Sequence, residues 1–406
     1  MESHESTIYD EMGVPTVINA VGEHTRISGT RMRAEAAEAM RRATEAHVHL
    51  ADIQSHASDL IAEATGAEMG YVTSGAAAAL TLATAACIAD SDYRITNRLP
   101  HTDGVPSDVL IARAHRNEYE VAFRAAGADL VGFGLNNLGN GVEDVEPWEI
   151  ETSITDETVA VAFIDRPFTE LSLETVVEIA HDYDLPVIVD AAAELPPKEN
   201  LTRYIDEGAD LVAFSGGKAV RGPQATGILA GRSELVSAAA LQHLPSGVDT
   251  EFWESGPPAK LFDMDALPGV PRHGIGRGMK VGKEELLGVV TAFELFLDED
   301  EEELHREWDE RAQRAASYLG EIDGLDAHIC DGDETRVATT ALVSVNERVA
   351  GVDATELIHR LRDENPRIYV DESQHGRGVF RINPKCLTDE ELDHVVDRIR
   401  ANLGEA

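Results

Sequence analysis

Between residues 70 and 231 short apolar runs alternate with stretches in which apolar positions recur every three or four residues. GYVT (70–73), DVLIAR (108–113), DLVGFG (129–134), TVAVAFID (158–165), PVIVDAA (186–192), DLVAFSGG (210–217) and TGILAG (226–231) read as buried strands. The segments 76–89, 118–126, 173–183 and 201–207 between them have helical spacing. Strands apolar on both faces and separated by helices predict a mainly parallel sheet covered on both sides.

The stretch from 244 to 278 (LPSGVDTEFWESGPP, then LPGVPRHGIGRG) is rich in Pro and Gly and reads as an ordered loop. A helix from about 281 to 297 runs into the acidic DEDEEE segment, which is most simply a solvated face, and a second helix continues to about 319. TTALVSVN, a helix near 354–362, the strand-like RIYVDES and GVFRINP, and a helix near 389–403 complete a small α+β domain. The expected division is 1–60 as an N-terminal segment shared by the small domain and a cleft, 61–280 as the large domain, and 281–406 as the small one. No internal repeat is visible.

Composition narrows the chemistry. The 406 residues hold 34 Lys+Arg against 75 Asp+Glu, a formal net charge of −41 and a sequence pI of about 4.6. Repulsion would replace counterion release at a phosphate backbone or an anionic bilayer, so nucleic acid and membrane are disfavoured as partners. Only six of the cations are Lys (Lys198, Lys218, Lys260, Lys280, Lys283 and Lys385). A carboxylate-rich, lysine-poor surface suits a salt-rich cytoplasm such as that of a haloarchaeon. No run approaches a membrane span, and the start MESHESTIYD lacks the regions of a signal peptide, which predicts a cytoplasmic location. Cys87, Cys330 and Cys386 show no CxxC spacing and read as structural. His47, His49 and His56 sit in a segment of helix or loop, so no metal site is expected there.

The segment FSGGKAVRGPQ (214–224) places Lys218 just beyond an apolar strand, at the strand ends where open α/β sheets bind ligands. By itself such a lysine reads most simply as a solvated loop residue. Thr73-Ser74-Gly75-Ala76-Ala77 joins a strand to a helix, which offers either an anion-binding helix start or a plain cap before a close-packed Ala-rich helix. Asp190 closes an apolar strand and needs a partner, a need that a protonated ring nitrogen would meet. His115 follows DVLIAR at the same sheet edge and is able to stack on a planar ring.

The order Ser74, His115, Asp190, Lys218 resembles that of the fold-type-I pyridoxal-phosphate enzymes, with an aminotransferase-like α/β sheet of seven strands and a small C-terminal domain. VINAVGEHTRISGTRM (17–32), AHRNEYEVAFRAAGADLV (114–131), FSGGKAVRGPQATGILAG (214–231) and GIGRGMKVGKEELLGVVTAFE (274–294) are similar to the selenocysteine-synthase-like branch, which includes D-glucosaminate-6-phosphate ammonia-lyase. The resemblance implies Lys218 as the Schiff-base lysine and Asp190 as the partner of the pyridine nitrogen. It also implies His115 and Ala192 on the two ring faces, with Ser74, Gly75, Ala76 and Ser215 around the phosphate. It assigns Arg381 to a substrate carboxylate, which an arginine fork binds in bidentate fashion. Arg26, Arg31, Arg33, Arg272 and Arg277 would lie on the substrate side.

What the resemblance implies for function is a lyase that uses pyridoxal 5'-phosphate to eliminate a β-substituent and release ammonia, leaving a 2-keto acid. The substrate would be a small anionic amino acid or amino-sugar acid, phosphorylated in one version. The segment ISGTRM (27–32) departs from the paired glycines of related lyases, which opens the choice of substrate. The alternatives are a selenocysteine-synthase-like transferase and a non-catalytic cofactor-binding scaffold. Against the transferase stand the charge of −41 and a chain whose site-like segments begin within the first twenty residues. The resemblance further implies a homodimer or higher homo-oligomer.

Overall fold

The computed structural model describes residues 7–90, 92–137, 142–165, 171–244, 261, 274–330 and 338–404. It resolves into two compact units, Met32–Glu299, and Met1–Arg31 together with Asp300–Ala406.

The larger unit is built on a seven-stranded sheet ordered Met69–Thr73, Gly227–Gly231, Leu211–Ser215, Val187–Asp190, Thr158–Ile164, Asp108–Ala112, Asp129–Phe133. Only Gly227–Gly231 runs antiparallel to its neighbours. The sheet is mainly parallel and helix-covered on both faces, as the apolar runs predicted. Successive residues of each strand enter different cores. Val72, Val161, Val189, Val212 and Phe214 pack with the helices Leu50–Thr65, Leu173–Asp182 and Lys283–Asp298. Tyr71, Ala160, Ile188, Leu211 and Ala213 pack with Ala76–Ala89 and Ser233–His243. Two-sided burial is why these strands are apolar throughout instead of alternating. Ala76–Ala89 is apolar on every side because it is enclosed on nearly every side.

An edge strand exposes unpaired backbone groups, and Met69–Thr73 is such an edge. Leu50–Thr65 covers it with side chains. Gln54 donates from Nε2 to the Val72 carbonyl (2.8 Å) and accepts the Val72 N–H at Oε1 (3.0 Å), while Ser58 Oγ accepts the Gly70 N–H (3.2 Å).

The smaller unit carries a three-stranded antiparallel sheet, Leu325–Cys330, Thr340–Val345 and Val379–Ile382. A parallel pair, Val17–Ala20 with Arg367–Val370, lies in the same unit. The helices Glu301–Gly320, Ala354–Arg362 and Asp389–Ala401 complete it around Leu319, Leu357, Leu361, Phe380, Val395 and Ile399. Asn19 is buried there with all its valences used: Nδ2 donates to Gly22 O (2.8 Å) and Gly29 O (3.0 Å), and Oδ1 accepts from the Val21 and Gly22 N–H groups. That buried amide sets the path of the VINAVG segment.

The division falls at 31/32 and 299/300 rather than at 60/61 and 280/281. Residues 32–60 and 281–299 group with the large unit because Ala34–Ala43 lies against Lys283–Asp298. There Gly288 is so close to Met40 that a Cβ would meet its Cγ at 2.8 Å. Residues 118–126 start with a 3-10 turn, Glu118–Glu120, before the short helix Val121–Ala125. Most of the loop predicted over 244–278 lies outside the described residues, and Ile275–Met279 is a 3-10 helix. Among the described residues no helix is long and apolar enough to cross a membrane.

Candidate active site

Because six strands are parallel and the seventh is reversed, six strand ends and one strand beginning share a single edge of the sheet. Ser74, His115, Asp190 and Ser215 all emerge there, the crevice edge of an open α/β sheet. Asp190 pairs in register with Ile164 on one side and Ala213 on the other. The residue is 8% exposed, and its Oδ1 accepts the Ala192 N–H at 3.1 Å. A carboxylate this buried is costly unless further donors or a cation face it.

His115 is 3% exposed. Its Nδ1 accepts the N–H of Ile164 (3.4 Å), the strand-end residue that pairs with Asp190, so the proton of the neutral ring sits on Nε2. Phe163 meets the ring edge-on, with centroids 5.2 Å apart and planes at 85°. Backbone and aromatic contact together hold the imidazole at the sheet edge.

The helix Ala76–Ala89 begins at Gly75, which has φ +116 and offers no side-chain cap to the first N–H groups. Nothing lies within 4 Å of where a Gly75 Cβ would be, so the approach to those groups is open. Beneath, Gly227 begins its strand so close to the turn that a Cβ there would lie 2.4 Å from the Gly75 carbonyl carbon and 2.5 Å from the Ala76 nitrogen. Gly227 pairs with Thr73 on one side and Ser215 on the other, which sets Thr73 and Ser215 about 10 Å apart at two strand spacings, with Ser74 next along from Thr73.

Lys218 is half-buried in the turn after Leu211–Ser215. The turn closes on itself, with Gly222 N–H donating to Gly216 O (2.8 Å) and Arg221 N–H to Lys218 O (2.9 Å). Its glycines are required by contact: a Cβ on Gly216 would meet Thr226 Oγ1 at 2.4 Å, and one on Gly217 would meet the Gln224 backbone at 2.7 Å. Ala192, half-buried, follows Asp190.

The arginines divide by unit. In the small unit Arg26 pairs with Glu372 (3.0 Å) and Arg31 with Glu391. Arg381 lies in Val379–Ile382, where Nη1 donates to Cys330 Sγ (3.4 Å) and Nε is buried with no acceptor among the described residues. In the large unit Arg277 lies in Ile275–Met279. Arg272 is outside the described residues. Arg33, also of the large unit, has a side chain 10% exposed whose guanidinium is bidentate with Glu299 (2.8 and 3.2 Å). Asp165, next along from Ile164, was not singled out from the sequence. It accepts from the Tyr204 hydroxyl (3.1 Å) and pairs with Arg203. The run TVAVAFID ends in an acid just as PVIVD does, and that parallel was the available signal.

The model of the family described as SelA: L-seryl-tRNA selenium transferase matches residues 17–245, more than half of the chain. The chain belongs to the SelA family. Among its relatives, D-glucosaminate-6-phosphate ammonia lyase of Salmonella typhimurium is 29% identical, with 97% of each chain covered. A solved structure of D-glucosaminate-6-phosphate ammonia-lyase superposes with a TM-score of 0.81 over 98% of both chains, at 28% identity. The 5'-C-glycyluridine monooxygenase-decarboxylase of a Streptomyces species is also 29% identical, with 97% of this chain and 92% of the relative covered. Ureidoglycine-glyoxylate aminotransferase from Bacillus subtilis, at 15% identity and a TM-score of 0.58, shares the aminotransferase-like fold. Two relatives at equal identity bear names of different reactions, so the reaction has to be argued from this chain's own residues.

Proposed function

We propose that this protein is a pyridoxal-phosphate-dependent lyase that removes a β-substituent and ammonia from a small anionic amino acid or amino-sugar acid, leaving a 2-keto acid. The observation that carries the reading is the buried Asp190 carboxylate at the same sheet edge as the Lys218 turn and an uncapped, open helix start. A phosphorylated pyridine aldehyde fits this donor set: an anion needs free N–H groups, a ring nitrogen needs a buried acid, and an aldehyde needs an amine.

The first N–H groups of Ala76–Ala89 and the hydroxyls of Ser74 and Ser215 would bind the phosphate. Asp190 would hold a proton on the ring nitrogen, and its burial raises the cost of separating the two charges. His115, fixed by Ile164 and Phe163, would pack on one ring face and Ala192 on the other. When bound, the cofactor supplies an electron sink for a carbanion at the substrate Cα. Lys218 Nζ would take the Cα proton and return one to the leaving group as general base and acid. The resemblance assigns the substrate carboxylate to Arg381 and any phosphate to arginines such as Arg277. The subunits would associate as a homodimer or larger homo-oligomer, in keeping with the resemblance.

The test is the absorption spectrum of the purified protein with cofactor, before and after borohydride, followed by mapping of the modified peptide. The expected result is a visible band that borohydride bleaches, a label on Lys218, and loss of both in Lys218→Ala. Turnover with amino acids and amino-sugar acid phosphates should release ammonia and keto acid in equal amounts. A band that survives in Lys218→Ala overturns the assignment. A stable complex with aminoacyl-tRNA in a gel shift would favour the transferase that the family description names.

A further inference from the structure

The side chain that the sequence placed with the substrate-binding arginines, Arg33, has a different set of partners. Its backbone N–H donates to Arg221 O (2.9 Å), and its Nε donates to Val220 O (3.1 Å). Both carbonyls belong to the Lys218 turn, two and three residues beyond the lysine. The remaining donors, Nη1 and Nη2, engage both oxygens of Glu299 (3.2 and 2.8 Å), whose side chain is 18% exposed. Glu299 is in turn 3.7 Å from the guanidinium of Arg221, and its carbonyl accepts from Lys198 Nζ, which also caps Leu297 O (2.8 Å).

Three features make this more than a surface ion pair. The first is geometry: a planar fork meets a carboxylate with two hydrogen bonds while a third donor points elsewhere, an arrangement a lysine cannot reproduce. The second is the turn itself. Arg221 has φ +59, a conformation that a non-glycine residue keeps only where its surroundings hold it. The carbonyls on either side of the 220/221 bond's downstream residue both end on Arg33, and Val220 is fully buried. The third is position in the chain. Arg33 and Glu299 lie at the two points where the polypeptide enters and leaves the large unit, 266 residues apart. One ion pair therefore fastens both of this unit's chain ends to the backbone that carries Lys218.

We propose that Arg33 and Glu299 are positioning residues for Lys218: they act through the backbone of the turn, fixing it so that Nζ meets the reacting carbon in register. The inference rests on the reading of Lys218 as the reacting amine. A misplacement of about 1 Å at a reacting centre costs roughly 10²-fold in rate, and that is the scale expected here.

The experiment uses the cofactor-loaded full chain. For wild type, Glu299→Gln, Arg33→Lys and Arg33→Ala it measures kcat, KM, melting temperature, and the pH midpoint of the bound cofactor's visible band, which follows the proton on the Lys218 nitrogen. Glu299→Gln should lower kcat about 10-fold, with KM within twofold and the pH midpoint moved by half a unit or more. Arg33→Ala should lose about 10²-fold, and Arg33→Lys should resemble it instead of rescuing it. If Arg33→Ala does not fold, Glu299→Gln decides, because the amide keeps the shape of the carboxylate. An unchanged kcat and midpoint in Glu299→Gln overturns the proposal, as does a variant set whose losses appear in KM or melting temperature alone. Borohydride labelling of wild type separates the two ideas. A label elsewhere than Lys218 overturns both readings, whereas a label on Lys218 with unaffected variants overturns only this one.

Discussion

His243 sits where its charge cannot easily be accommodated. The residue is 4% exposed, Nδ1 accepts from the Tyr71 hydroxyl (2.7 Å), and Nε2–H donates to Met279 O (2.9 Å). Burial depresses its pKa below 6.5, and Arg277 nearby adds to the effect, against a smaller opposing pull from the Met279 carbonyl. Because the native value is the lower one, the unfolded chain takes up this proton first as pH falls. The stability linked to a neutral His243 is complete above about pH 6.5 and is lost as pH drops through the native value, at up to about 1.4 kcal/mol per pH unit. Melting curves from pH 8 to 5 should therefore bend downward below 6.5 in wild type and less so in His243→Gln. That variant should already be weaker at pH 8 by about 1–3 kcal/mol, because the buried Tyr71 hydroxyl loses its acceptor. Parallel curves would sink the idea. At this scale the sequence was legible in the placement of residues along the sheet edge. Ser74, His115, Asp190 and Lys218 each stand at a strand end, and a strand end can be seen in a one-dimensional pattern. The pairing of Arg33 with Glu299 was not legible, because the two stand 266 positions apart, a separation at which nothing local marks the pair.

At the scale of elements, the contact between the strand Gly227–Gly231 and the start of Ala76–Ala89 sets the position of the uncapped helix start, the proposed phosphate site. A Cβ on Gly227 would fall 2.4–2.6 Å from backbone atoms of Gly75 and Ala76, and backbone does not swing aside as a flexible side chain does. Gly227→Ala should thus lift the helix start and cost about 1–3 kcal/mol. It should weaken binding of pyridoxal phosphate more than that of the unphosphorylated aldehyde, as read by titration of the visible band. Gly278→Ala is the control, since nothing lies within 4 Å of its Cβ position. Equal losses in the two variants, or equal weakening for the two aldehydes, would refute the account. The seven strands were readable because burial on both faces makes each a solid apolar run between turn signals. Helices 34–43, 50–65 and 233–243 were not picked out, since their many alanines and small polar residues blur the contrast between faces. Val17–Ala20 has four residues, and its pairing with Arg367–Val370 spans 350 positions, so it carries almost no local signal.

For the molecule as a whole, charge arithmetic sets the conditions under which the fold is stable. If every one of the 34 Lys and Arg side chains were paired, 75 − 34 = 41 carboxylates would still face one another across the surface. Many of the visible ion pairs are exposed, such as Arg41 with Glu38 and Glu45, or Arg306 with Glu303, and exposed pairs contribute only about 0–1 kcal/mol each. Salt therefore acts on two opposed quantities. It weakens those few attractions, and it screens a much larger self-repulsion whose range shrinks from about 8 Å at 0.15 M to about 3 Å at 1 M. The second effect is the larger, because unpaired carboxylates outnumber cations and repel over the whole surface instead of at single contacts. Raising KCl from 0.1 to 2 M should accordingly raise the melting temperature by about 10 °C, most of it below 1 M where the screening length changes fastest. Sucrose at matched water activity, which favours burial without screening charge, should give a smaller rise. A melting temperature that is flat or falling in KCl, or one that sucrose reproduces in full, would mean that the acidic surface is a matter of solubility alone.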